Sequence, residues 1–420
     1  MTSLSPTPAI EIMSPVGSYE ALMAAIQAGA GSIYFGIGKM NMRSRSSANF
    51  TYEDLQNITN ICKEHHVYSY LTVNTVIYND EIEEVHQLLD LAKQCEVSAI
   101  IASDWAVMDY CRKIGLEIHI STQCNITNIE AVRFYSQFAD VVVLGREVNL
   151  RQVSDIAQVI KAEHICGPKG NPVQIEMFIH GALCMAVSGK CYLSLDNFNY
   201  SANRGACLQP CRRGYLVKDL DHEVELAIEN QYIMSPKDLC TIGFLDKVIK
   251  AGVTVLKIEG RGRSAEYVKT VTQCYHEALL AIQDQSYTQE KIAAWTQRLR
   301  SVYNRDFWDG YYLGRKMGEW SERYGSQATQ VKEYIGKVTN YFGKLGVAEI
   351  TIETGCLAPE DKILIMGPTT GVYEDTIKEL RVELQPVETA EKGDACSLAT
   401  QETVRRGDKV YKWVTVVEEF

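Results

Sequence analysis

The fold of this chain is restricted most by an alternation of short apolar runs with amphipathic helical stretches over about its first 280 residues. The runs are EIMSPVG, SIYFGIG, YSYLTVNT, AIIASDW, EIHISTQ, VVVLGRE, IEMFIHG and VLKIEGR. Each is apolar along most of its length and turns polar at its end, as parallel strands covered on both faces do. Eight such units in roughly 250 residues predict a TIM-like (β/α)8 barrel. A doubly wound open sheet is the alternative.

The rest of the 420-residue chain divides into two further segments. Residues 1–285 make up the predicted barrel, including a cysteine-rich loop after the seventh strand. Residues 286–325 begin as a helix and continue as an aromatic, glycine-broken linker. Residues 326–420 alternate short strands with Gly, Pro, Asp and Asn turns, which predicts a small C-terminal β-barrel, a kind of domain that contacts partners such as tRNA.

Polar side chains follow the apolar runs where the strands of a barrel would end. They are Asn74, Gln123, Arg146 and Glu259, and Arg43 stands in the loop after the second run. The active sites of such barrels lie at this end of the strands. Amides, guanidinium groups and a carboxylate predict a pocket for an anionic small molecule. The alternative is that these strand ends are polar because they meet water.

Five cysteines lie near the loop that follows the seventh run. They are Cys184, Cys191, Cys207, Cys211 and Cys240. The first four stand in Gly-, Ser- and Asn-rich sequence, where packing in a strand or helix explains them poorly. Thiolates hold soft metals or iron–sulfur clusters, and zinc and a catalytic thiol are alternatives. The N-terminal sequence does not resemble a signal peptide, so we expect a cytoplasmic protein whose thiols stay reduced.

Composition limits the partners of the chain. No apolar run is long enough to span a bilayer, and the net charge is −11. A nucleic acid would therefore have to bind at a local basic patch. The cysteine-rich loop offers one, with Lys190, Arg204, Arg212 and Arg213.

The run EMFIHGALCMAVSGKCYLS, from Glu176 to Ser194, resembles the signature of the collagenase-like peptidase family U32. Further matching stretches include SPVGSYEAL, HISTQCN, LGREVNL, SANRGACLQPCRRGY and SPKDLC. Within the family the chain is most similar to the tRNA hydroxylation proteins. The resemblance implies prephenate-dependent formation of 5-hydroxyuridine at the wobble position of tRNA, with a [4Fe–4S] cluster. The cluster ligands that it implies are Cys184, Cys191, Cys207 and Cys240, with Cys211 as the alternative.

Other functions stay open at this point. A peptidase could use His180 with Cys184, four residues away, as base and nucleophile. A non-catalytic RNA-binding or assembly factor could carry a structural cluster. If the substrate is the unpaired anticodon loop of tRNA, its base can stack on an aromatic ring, for which Tyr192, Phe198 and Tyr200 are candidates.

Overall fold

The computed structural model describes residues 10–45, 50–215, 234–314, 319–321 and 325–416. Its first sheet contains ten strands: β1 Glu11–Pro15, β2 Ser32–Phe35, β3 Tyr68–Val73, β4 Ala99–Ala102, β5 Ile118–Ile120, β6 Val141–Val143, β7 Gln174–Gly181, β8 Asp238–Cys240, β9 Val253–Ile258 and β10 Phe307–Trp308. Strands β1 to β7 pair in parallel, each with the next. Strand β9 pairs in parallel with both β7 and β1, which closes an eight-stranded barrel. The predicted (β/α)8 barrel is thus confirmed, and the open-sheet alternative is wrong.

The described residues include ten α-helices alongside these strands. They are α1 Tyr19–Gln27, α2 Asp54–Glu64, α3 Ile82–Gln94, α4 Trp105–Ile114, α5 Ile129–Tyr135, α6 Leu150–Ala162, α7 Leu193–Phe198, α8 Leu245–Lys250, α9 Ala265–Gln283 and α10 Gln289–Ser301. Several begin at a residue whose side chain accepts a hydrogen bond from a free backbone N–H. Ser18 caps α1, and Asp104 caps α4. These two caps fix where α1 and α4 begin after their strands.

The loop between β7 and β9 is the longest connection of the barrel and lies at its C-terminal end. It holds α7, β8 and α8. Strand β8 runs antiparallel to the end of β7, with Cys240 opposite His180, and β10 pairs in parallel with β8. The aromatic segment after α10 therefore contributes β10 to the sheet at the barrel mouth, through its pairing with β8, and is not a free linker.

The C-terminal residues form an antiparallel β domain, as predicted. Its strands are β11 Gln330–Phe342, β12 Val347–Ile352, β13 Cys356–Leu357, β14 Lys362–Gly367, β15 Gly371–Thr376, β16 Arg381–Val382, β17 Gln385–Pro386, β18 Ala390–Glu391, β19 Ala395–Ala399 and β20 Lys409–Thr415. Eight of them form one sheet in the order β15-β14-β20-β11-β12-β19-β16-β17, and β13 pairs with β18. Its core includes Ile335, Ile350 and Ile365.

This domain packs on the flank of the barrel against α1 and α9. Leu364 and Val372 belong to the same buried apolar cluster as the barrel core. The Gln27 amide donates to the carbonyl of Thr370 at 2.9 Å, and Lys332 forms an ion pair with Glu266 at 2.9 Å. Residues 326–420 carry 11 lysines and arginines against 16 aspartates and glutamates, so the domain is acidic.

Candidate functional site

A cavity of about 180 Å³ opens at the C-terminal mouth of the barrel. Its lining includes all five residues of the predicted anion pocket, Arg43, Asn74, Gln123, Arg146 and Glu259. They come from loops after five different strands, which only the closed barrel brings to one place. The cavity lies where barrels of this type carry their active sites.

Cations outnumber anions in the wall of the cavity. Arg43 pairs with Glu259 at 2.7 Å, and buried Arg261 donates to the hydroxyl of Thr72 at 2.8 Å. Burial opposes ionisation of Glu259, but the charge and hydrogen bond of Arg43 outweigh it and lower the pKa of that carboxyl. Burial lowers the pKa of Arg261 to about 10, which still leaves it charged at neutral pH. Because one carboxylate faces several cations, the wall favours an anionic ligand.

Lys257 connects this wall to a charged network inside the barrel. Its ammonium lies 2.6 Å from Glu176, which is fully buried. His119 lies 3.7 Å from Glu176 on one side and 3.7 Å from Glu117 on the other. Buried charges are costly unless they are paired, so each member depends on the others. The sequence carries a signal for this network, because Glu176, His119 and Lys257 each interrupt an apolar strand.

Several buried polar atoms of the cavity wall have no hydrogen-bond partner among the described residues. They are Thr122 Oγ1, Gln123 Oε1 and Arg146 Nε. Buried polar atoms in folded proteins are nearly always bonded, so each such group calls for a partner. These three lie in or next to the cavity and can serve a polar ligand.

The cysteine-rich loop covers the cavity and is fixed to the barrel loops around it. Arg204 makes a two-pronged ion pair with Glu81, and the backbone of Arg45 donates to the carbonyl of Gly205 at 3.3 Å. On the other side Arg146 donates to the hydroxyl of Ser188 at 2.8 Å. The loop is thus held in place over the cavity by contacts on two sides.

Four of the five predicted cysteines line the cavity together. They are Cys184, Cys191, Cys207 and Cys211. Burial raises the pKa of Cys211 to about 11 and raises that of Cys191, and neighbouring thiols of the same group add to both effects. A cation would favour the thiolate forms, so the donor set suits a soft metal or an iron–sulfur cluster. In the part of the chain that the structure describes, no group of three or more Cys, His, Asp or Glu side chains is arranged to hold a metal ion.

Cys240 lies apart from the other four. It stands on β8 with its sulfur 3.9 Å from the hydroxyl of Tyr275, on the side of α9. Burial raises the pKa of this thiol to about 11. As a ligand it would have to turn towards the loop.

The ring of His180 is buried and packs against aromatic side chains. Its ring lies against Tyr267, Tyr275 and Phe307, and its Nδ1 is 3.3 Å from the hydroxyl of Tyr275. Burial lowers the pKa of His180 to about 3, so the imidazole is neutral and a weak base. Among the described residues no hydrogen bond joins it to Cys184, which is exposed. This geometry does not support a thiol–imidazole catalytic pair.

The three aromatic residues predicted to stack on a base lie on the cysteine-rich loop. Tyr192 is 72% exposed. The guanidinium of Arg45 covers Tyr200 at 4.6 Å, and that of Arg213 covers Phe198 at 4.9 Å. Two of the three rings thus already have a cation on one face.

The chain matches the family model of peptidase family U32 over residues 17–322. It is 60% identical over 403 residues to a protein named collagenase from Porphyromonas gingivalis, covering 96% of this chain and 97% of that one. It is 30% identical over 380 residues to a tRNA hydroxylation protein of Bacillus subtilis, covering 88% of this chain and 86% of that one. The identity to this protein is thus lower than the identity to the collagenase, although the sequence predicted the tRNA hydroxylation proteins as the more similar group. It is 34% identical over 274 residues to a 23S rRNA 5-hydroxycytidine synthase of Escherichia coli, covering 65% of this chain and 40% of that one.

Among the described residues no helix is both long and apolar enough to cross a membrane. The family match covers the barrel after its first strand, the cysteine-rich loop and the aromatic segment that follows α10. The chain belongs to peptidase family U32.

Proposed function

We propose that this protein hydroxylates tRNA, forming 5-hydroxyuridine at the wobble position in a prephenate-dependent reaction. The observation that carries the proposal is the cationic cavity at the barrel mouth, beneath a loop with four thiols on the same lining. Relatives named for hydroxylation of tRNA and of an rRNA cytidine support it. If tRNA is the substrate, the protein would act in the cytoplasm.

Prephenate carries two carboxylates, and the cavity offers cations for both. Arg43 and Arg261 lie on one side of the space, and Arg146 lies on the side of the cysteine-rich loop. Guanidinium groups bind carboxylates with two parallel hydrogen bonds. The amides of Asn74 and Gln123 can bind the remaining polar groups of the co-substrate.

The thiols fit a [4Fe–4S] cluster in number and chemistry. Cys184, Cys191 and Cys207 would hold it, and the fourth ligand would be Cys240 or Cys211. Such a cluster supplies one-electron chemistry when bound. The chain itself binds and orients the two substrates and keeps water out under the fixed loop.

The RNA would meet the cysteine-rich loop first. Residues 182–215 carry four basic side chains and one acidic side chain, whereas the whole chain has a net charge of −11. Local positive charge of this kind binds phosphates. The wobble base is unpaired in the anticodon loop, so it can be turned out at a small unstacking cost.

Peptidase activity is the second candidate, because the relative that is 60% identical is named a collagenase. A thiol peptidase needs a nucleophile and a base within hydrogen-bond reach. His180 is neutral and bonded to Tyr275 instead. Incubation of purified protein with gelatin tests this candidate directly, and cleavage lost in Cys184→Ser would support it.

Nucleoside mass spectrometry of tRNA tests the proposed function. A strain lacking the gene should contain no 5-hydroxyuridine and should regain it with the wild-type gene. The same measurement in a strain unable to make prephenate should also show its loss. Unchanged 5-hydroxyuridine in the deletion strain would refute the proposal.

A further inference from the structure

A narrow cleft with aromatic walls opens beside the cavity. Its lining includes Trp308, Tyr311, Trp320, Arg146 and Glu147, and we call this cleft the aromatic slot. It shares Arg146 and Cys184 with the cavity. A group held in the aromatic slot would therefore lie next to the thiol-lined space.

Two walls of the aromatic slot are fixed by the fold. Trp308 lies on β10, which pairs with β8. Tyr311 packs edge-on against Trp308, with ring centroids 5.4 Å apart. The third wall is Trp320, whose backbone forms a bridge with Pro236 and whose side chain is 38% exposed. Trp320 is thus the wall of the aromatic slot that faces solvent.

Two residues of the aromatic slot carry a buried hydrogen-bond donor that has no acceptor among the described residues. Trp308 is 6% exposed, and its buried Nε1–H has no acceptor among the described residues. The same holds for Arg146 Nε, although another nitrogen of that guanidinium is bonded to Ser188. Glu147 adds a carboxylate acceptor to the lining. Buried donors without acceptors are rare in folded proteins, so these point to a ligand with acceptor oxygens or nitrogens.

We propose that the aromatic slot receives the target pyrimidine of the RNA, turned out of its loop and stacked on Trp320. A pyrimidine is planar, and its edge offers two acceptors and one donor, which matches two N–H donors and one carboxylate. Flipped bases are bound by aromatic stacking and edge hydrogen bonds. The aromatic slot has about 10 Å³ of free space, so the Trp320 ring must swing outward to admit the base. This proposal rests on the proposed function and identifies where its base binds.

A fluorescent pyrimidine tests the stacking directly. The probe is an anticodon stem-loop with pyrrolo-cytosine at the wobble position, whose emission falls when the base stacks. Wild-type protein should quench the probe, and Trp320→Ala should lose the quenching and bind about tenfold more weakly, since stacking contributes about 1–3 kcal/mol per base. Trp105→Ala is the matched control, because Trp105 is exposed on α4 outside the aromatic slot.

A second variant tests the edge contacts. Trp308→Phe keeps an aromatic ring at this position and removes the Nε1–H. It should therefore preserve quenching yet weaken binding of the stem-loop several-fold. Equal quenching and affinity in wild type and Trp320→Ala would overturn the proposal that the aromatic slot binds the target base. If 5-hydroxyuridine depends on the gene while the probe is never quenched, the proposed function stands and this inference fails. If 5-hydroxyuridine does not depend on the gene, the proposed function itself fails.

Discussion

Replacing His119 with Gln should remove a defined part of the pH dependence of stability. The ring lies inside the barrel and is 2% exposed. Burial opposes its protonation, but the carboxylates of Glu117 and Glu176, each 3.7 Å from a ring nitrogen, outweigh burial and raise the pKa of His119 to about 9. The ordinary value is 6.5, so the folded protein holds this proton more tightly than the unfolded chain does.

The size and sign of the effect follow from this difference in pKa. Each pKa unit corresponds to about 1.4 kcal/mol, so protonated His119 contributes about 3 kcal/mol to the free energy of unfolding. This contribution is complete below pH 6.5, where both states carry the proton. It decreases as pH rises and is lost once pH passes about 9, the folded pKa.

Urea unfolding between pH 6 and pH 9.5 measures the effect. The wild-type free energy of unfolding should fall by about 3 kcal/mol more than that of His119→Gln over this range. His65→Gln, at an exposed histidine, should keep the wild-type slope. The NMR titration of the His119 ring should show its midpoint near pH 9. Identical slopes in wild type and His119→Gln, or a midpoint near 6.5, would refute the reasoning.

Three further predictions concern the site and the domains. Iron should be present at about four atoms per chain in anaerobically purified protein; iron lost in Cys240→Ser but kept in Cys211→Ser would make Cys240 the fourth ligand, and the reverse result would make it Cys211. Arg146→Ala should abolish 5-hydroxyuridine while circular dichroism and the thermal midpoint stay within a few degrees of wild type, and normal product would exclude its role in binding. A chain ended at Gly325 should aggregate, because α1 and α9 lose their cover, and a soluble truncated protein would contradict the packing described above.

The barrel and its mouth could be predicted because both follow from local patterns. Eight apolar runs with polar ends specify parallel strands, and closing the barrel brings their ends together. Arg43, Asn74, Gln123, Arg146 and Glu259 therefore share one cavity, as the pattern indicates. No pairing other than the closure of the barrel is needed to bring these five residues together.

Other parts of the site depend on pairings that the sequence does not specify. Cys240 points towards Tyr275 because β8 runs antiparallel to β7, and no local pattern gives that direction. Trp308 and Trp320 stand in a stretch that has the composition of a linker, and only pairing with β8 and Pro236 brings them to the barrel mouth. His180 is polar at a strand end, yet its ring packs against Tyr267 and Tyr275 of α9.

The acidic C-terminal domain has a consequence for how an RNA can approach. It occupies the flank formed by α1 and α9, so phosphates are repelled there, whereas residues 182–215 attract them. The two fields together give the protein an electric dipole that orients an incoming polyanion before contact. Since the Debye length is about 8 Å at physiological ionic strength, this orientation acts only during close encounter. Raising salt should therefore slow association more than it speeds dissociation.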